Sequence, residues 1–291
     1  MHGPTAKPGM IIAAGVLLTV MLAGIALDIT LFFRLRRRLP ALRRRLRFLQ
    51  ERPWQWLDAG VILFLMIWLH TLLLFASSVV HHVGWLPDVP LIAISIFCQT
   101  LLFPLIGFTL IIAFMRLRML SWKQAFGLEL GEIWQRTRQG AILYLAVMPP
   151  VMLSGLAYSA LLGRLNYPIQ SQEVVQVLVD PRYPVWLQVY VVILAVTAAP
   201  IGEELFFRGI ALPALARYAG PTRAILAVSL LFALMHFHVP SVVPLFLLGV
   251  ALSLGYSLTG SIVVPITIHA LFNAVSIAIL LLARDFLPFV R

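Results

Sequence analysis

Two adjacent glutamates, Glu203 and Glu204, interrupt a stretch that carries no charge from Tyr190 to Pro200, and Arg208 follows them. An ionisable side chain at membrane depth costs about 2.5–3.5 kcal/mol on insertion scales, so such a group marks function by default. Glu204 and Arg208 are four apart, which on a helix places them on one face and lets them pair. Glu203 lies about 100° further round that helix, free to face another element. One carboxylate is then held by an arginine while its neighbour is available as a general base, a task suited to an apolar, water-poor site. The bland alternative is a Glu–Arg clamp snorkelling at a helix end, for which one glutamate would suffice.

Two later segments carry isolated polar groups of the same kind. His236 ends Phe232-Ala233-Leu234-Met235-His236, with Phe232 one turn earlier and able to wall the imidazole. His238 is a weaker companion. His269 and Asn273 are four apart, so both point one way and can hold a water or donate to an oxyanion. The plain alternative for that pair is hydrogen bonding between packed helices, worth about 0.6 kcal/mol. Together, glutamate and two histidines on separate helices can bind zinc or activate a water without metal. No His-Glu-x-x-His is present, so this is not the usual zinc-protease helix.

The elements that must position these groups are membrane helices. Hydrophobic residues are 61% of the 291 and charged residues only 11%, against roughly 25% charge in a soluble domain. The apolar residues form long blocks without alternation, which excludes a transmembrane barrel and predicts an all-α, polytopic membrane protein. Eight spans are expected, over 9–33, 57–80, 91–115, 140–163, 185–207, 222–238, 242–258 and 262–283. Met10 to Phe33 is too long for a signal-peptide core and reads as a retained span. A soft boundary near Pro184 separates residues 1–184, with no assigned role, from a core over 185–291 that holds nearly all the membrane-depth polar groups.

The net charge of +11 does not indicate nucleic-acid binding, because it concentrates in one run from Arg34 to Arg52. That run reads as a connector that sets topology and touches anionic lipid. Basic residues over 34–53, 116–139 and 217–223 place those connectors on the cytoplasmic side. Asp28 is expected to pair with the run, His81 and His82 to lie in an exterior turn, and His70 to be packed. Cys98, the lone cysteine, excludes an intrachain disulfide. Gly249, Ser253 and Ser257 repeat at a spacing that permits close helix packing.

From the cytoplasmic side, Glu203 is expected about one turn inside its span, His269 about 10 Å in and His236 about 20 Å in, at 1.5 Å per residue. One site requires helices that tilt or break, and Pro200, Gly202, Pro213 and Pro265 offer places for it.

In order, Glu203-Glu204-x-x-x-Arg208, Phe232-x-x-x-His236 and His269-x-x-x-Asn273 resemble the motifs of the CPBP family, the CAAX proteases and bacteriocin-processing enzymes. Gly260-Ser261-Ile262-Val263-Val264-Pro265 is a further point of likeness. The resemblance spans roughly 185–283 and implies an intramembrane endopeptidase. It implies that Glu203 activates the attacking water with help from His236. His269 and Asn273 would then polarise the scissile carbonyl and its oxyanion, and Glu204 and Arg208 would support the site. No cofactor is expected to be required; if zinc is used, its ligands are Glu203, His236 and His269. The implied partners are a membrane-embedded or lipid-anchored protein substrate and membrane lipid. The implied location is a multi-pass protein of the plasma membrane, if the host is bacterial, with its site facing the cytoplasm. A non-catalytic immunity or scaffold protein and a proton-coupled transporter are the alternatives, the latter lacking an inverted repeat.

Overall fold

In lipid each backbone polar group must bond within its own segment, so long apolar stretches become helices. The computed structural model describes residues 8–36, 46–84, 103–168 and 172–283, and no strand occurs among them. The α-helices are α1 (Pro8–Arg36), α2 (Phe48–Glu51), α3 (Trp56–His82), α4 (Phe103–Leu117), α5 (Trp122–Phe126), α6 (Ile133–Arg164) and α7 (Glu173–Val179). They continue with α8 (Val185–Val196), α9 (Ala198–Glu204), α10 (Leu212–Ala219), α11 (Pro221–Leu234), α12 (Val242–Thr259) and α13 (Val263–Ala283).

Five elements are long and apolar enough to cross a membrane: Trp56–His82, Leu130–Arg164, Val185–Ala219, Val239–Thr259 and Val263–Leu282. Leu17–Leu31 within α1, Leu105–Leu117 and Pro221–Leu234 are shorter apolar stretches among the described residues. Among those residues the eight expected spans overlap the five long elements and these three stretches. The start of the expected 91–115 span, Cys98, and Arg37, Arg38, Arg43, Arg44 and Arg45 lie outside the described residues. His81 and His82 close the last turn of α3 instead of opening a connector.

Helix α6 is the central strut and packs against α1, α12 and α13. Small residues allow these approaches. A Cβ at Gly140 would come within 2.6 Å of Thr267 Cβ on α13, and one at Gly24 would overlap the Leu145 carbonyl. Gly249 does the same between α11 and α12, where its Cβ would lie 3.0 Å from Ser229 Cβ. Ser253 and Ser257 return their hydroxyls to the carbonyls of Gly249 and Ser253, at 2.8 and 2.6 Å. The small-residue ridge is therefore a packing seam.

The fifth span differs most from expectation. It runs over 35 residues to Ala219, so Glu203 falls near its middle and not one turn inside an end. Two irregularities divide it. The helix breaks at Thr197 (φ −119°, ψ −75°), and Leu205–Ala211 forms a π-helix. Pro213 does not stop the chain, because it sits in the first turn of α10, where its missing N–H is an orphan anyway. Gly209 in the π segment is required by packing: a Cβ there would meet two Phe126 ring carbons at 2.5 Å.

At one end of the bundle the connectors are tied together. Ser121 and Gln124 form a capping box for α5, which ends at Gly127 in the left-handed region (φ 67°). Arg52 Nη1 donates to the carbonyls of Lys123 and Gln124, at 3.0 and 2.8 Å, and its Nη2 donates to that of Gly260 at 2.6 Å. Gln50 Nε2 donates to the Ala216 carbonyl, and Arg217 Nε returns a bond to the Gln50 carbonyl. Connectors grouped on one side by their charge thus touch at one end, and Arg52 acts there as a tie rather than only as a topology signal.

Candidate active site

Adjacent positions on α9, which lies between the break at Thr197 and the π segment, are about 100° apart, so its two glutamates face different surroundings. Glu204 is fully buried and accepts from Arg208 Nη1 at 2.9 Å, and Arg208 is itself fully buried. The guanidinium also donates from Nη2 to the Gly249 carbonyl at 3.1 Å and lies over the Phe232 ring, 4.4 Å from its centroid. A buried ion pair is tolerated only when such extra bonds offset desolvation.

His269 joins this knot. Its Nδ1 is 2.8 Å from Glu204 Oε1. An ionised carboxylate only accepts, so Nδ1 carries the proton and Nε2 is turned away from Glu204. That Nε2 lies 4.0 Å from Glu203 Oε2. One imidazole therefore stands between the two glutamates, oriented by one and directed at the other.

Glu203 lies about 100° round the helix from Glu204. Its side chain is 33% exposed, and it lines a cavity of about 350 Å³. The wall is apolar apart from Glu203 and His236. His236 lies just beyond α11, where Phe237 turns the chain with φ 48°. The span expected over 222–238 thus ends at Leu234, which frees His236 from the helix. Its Nδ1 is 2.8 Å from the Phe232 carbonyl, an acceptor only, so Nδ1 carries a proton and Nε2 is the nitrogen left for chemistry.

Phe232 does more than wall one histidine. Its ring meets His236 at 4.8 Å and His269 at 5.7 Å between centroids, both edge-on, and carries Arg208 on its face. Asn273 is one turn from His269, but its Nδ2 donates to the Ala195 carbonyl at 2.8 Å. It is therefore not aimed at the carboxylates. His238 pairs with Ser241 Oγ through Nδ1 at 2.7 Å, in the turn before α12.

Glu203, His236 and His269 do not fit a metal as placed. Among the described residues no group of three or more His, Cys, Asp or Glu side chains could hold a metal ion. Each Nδ1 is held, by the Phe232 carbonyl or by Glu204, which leaves Nε2 as the nitrogen a metal would meet, while Glu204 is committed to Arg208 and His269.

The remaining cavity wall comes from segments whose sequence gave no chemical signal. Leu63, Met66 and Ile67 of α3 and Gly107, Phe108 and Ile111 of α4 line it, opposite Leu194, Ala195, Ala199 and Gly202. Gly107 was the available clue: a glycine within an apolar helix marks close approach. A Cβ there would lie 3.2 Å from Met66 Cε.

Residues 184–275, which contain all three motifs, match the family profile described as type II CAAX prenyl endopeptidase Rce1-like. No curated protein and no solved structure matches the chain. The matched region lies on helices apolar enough for a membrane and carries the glutamates, both histidines and the asparagine in family order. Residues 184–275 are therefore an Rce1-like domain of the CPBP family, the CAAX-type intramembrane proteases.

Proposed function

We propose that this protein is an intramembrane endopeptidase that cleaves a peptide bond in a membrane-associated or lipid-anchored, CAAX-like protein, with Glu203 as the base that activates water. The observation that carries this reading is the cavity: two groups able to move protons, Glu203 and His236, line an otherwise apolar wall. Glu203 removes a proton from a water positioned toward the scissile carbonyl, and the new C–O bond forms as the carbonyl π pair moves to oxygen. His236 Nε2 stands beside this exchange as an acceptor and relays the proton to the leaving amine as the C–N bond breaks. General acid–base steps of this kind contribute about 10²–10⁴-fold.

His269 is directed at the same place by Glu204, which is in turn held by Arg208. When its Nε2 carries a proton it is a donor to the developing oxyanion, and such donors are worth about 10²–10³-fold. No step is routed through a metal. The cytoplasmic face, by the basic connectors, is the proposed side of water entry.

The test uses the purified full chain in proteoliposomes with a lipidated peptide that fluoresces on cleavage. Glu203→Gln should abolish turnover while the circular dichroism of the helices is unchanged. Undiminished turnover by that variant would overturn the assignment.

A further inference from the structure

Asn273 stands one turn from His269 on α13, yet its amide is not turned toward Glu203, Glu204 or the cavity. Nδ2 donates to the carbonyl of Ala195 at 2.8 Å, across from α13 to α8. That carbonyl lies two residues before Thr197, where φ −119° and ψ −75° interrupt the helical ladder. The break leaves the Ala195 carbonyl without the Ala199 N–H that a continuous helix would supply, and Pro200 has no N–H to give to Val196, so carbonyls at this break need donors from elsewhere. The Ile193 carbonyl keeps its bond from Thr197 N–H and gains one from Thr197 Oγ1, at 3.0 and 2.6 Å, whereas Ala195 receives its donor from Asn273.

The same break is part of the cavity. Leu194 and Ala195 precede it, Ala199 and Gly202 follow it, and all four line the wall that ends at Glu203. The direction in which α9 leaves the break decides where Glu203 points.

We propose that Asn273 is a positioning residue, which pins the Ala195 carbonyl at the break between α8 and α9 and so sets the cavity wall and the aim of Glu203. This role rests on Glu203 being the base, and it differs from that of a donor to the oxyanion. A donor to the oxyanion acts only in the transition state, so its loss lowers kcat and leaves the resting protein as it was. A positioning residue alters the resting protein.

The experiment reads that difference without substrate. Ala199→Cys is introduced into the full-length chain with Cys98→Ser, and its labelling by a water-soluble maleimide is timed in proteoliposomes. Asn273→Ala and the equally sized Asn273→Asp should each change the labelling rate about tenfold, the shift that loss of one hydrogen bond permits. Asn273→Gln, which keeps the amide, should restore part of it. In cleavage assays of the same variants without the reporter cysteine, KM should rise along with the fall in kcat. Unchanged labelling, with kcat reduced or not, would overturn the proposal. If Asn273→Ala does not fold, the aspartate variant decides, since it preserves volume. Glu203→Gln should leave the labelling rate unchanged, so turnover by that variant would remove the proposed base without touching the result for Asn273.

Discussion

On one side of α9 Glu204 is sealed, with Arg208, His269, the Gly249 carbonyl and the Phe232 ring packed around it. On the other side Glu203 looks into a cavity whose wall is almost entirely apolar. Neighbouring residues of identical chemistry are thus assigned to a fixed charge cluster and to a solvent-sized space. What separates them is the step of about 100° between adjacent helix positions, and the break at Thr197 and the π-helix over Leu205–Ala211 bracket the pair. In the proposed mechanism the sealed side orients and the open side reacts.

The largest effect expected from breaking this contrast is on chemistry. Glu203→Ala should lower cleavage by about 10²–10⁴-fold, because general-base catalysis is worth that much. Its thermal unfolding midpoint in micelles should stay near that of the parent. The sealed side should behave in the opposite sense. Arg208→Met strands a buried carboxylate and should cost about 3–5 kcal/mol in stability, read by unfolding in detergent titration. The double change Arg208→Met with Glu204→Leu should regain much of that stability, as apolar replacement of a buried pair commonly does. It should not regain activity, because His269 loses the carboxylate that orients it.

A smaller effect is expected at the cavity wall. Gly107→Leu pushes a side chain toward Met66 and narrows the space, so KM should rise about tenfold with kcat less affected, the scale of one poorly accommodated group in an apolar pocket. Chelation should have the smallest effect of all. Prolonged dialysis against a zinc chelator should leave turnover unchanged, whereas loss followed by recovery on zinc addition would reassign Glu203, His236 and His269 as ligands.

Helical class, the apolar segments and the three motifs were legible because each rests on a local rule: length in lipid, or spacing on a helix. Glu204 with Arg208 followed from a four-residue spacing alone. The limits are equally physical. Glu203 stands near the middle of a 35-residue element, where the expected span stopped at 207, because the chain continues past Arg208 through a π segment into a helix that holds Pro213 in its first turn. His236 was expected within a span over 222–238, and only the end of α11 at Leu234 shows that it lies beyond the helix. Asn273 carried a motif's implied role, and its bond to the Ala195 carbonyl is a tertiary contact that no spacing predicts. The walls from α3 and α4 were illegible, since an apolar residue facing a cavity has the same sequence signature as one facing lipid.

The tie made by Arg52 bears on how this enzyme can be engineered. Its guanidinium reaches the carbonyl of Gly260, the residue that hands α12 on to the helix bearing His269. Excising 184–275 as a portable module would remove that anchor and also the α3 and α4 wall. The motif-bearing segment is one jaw of a vise, and grafting it onto another membrane scaffold should transfer the residues without transferring the grip.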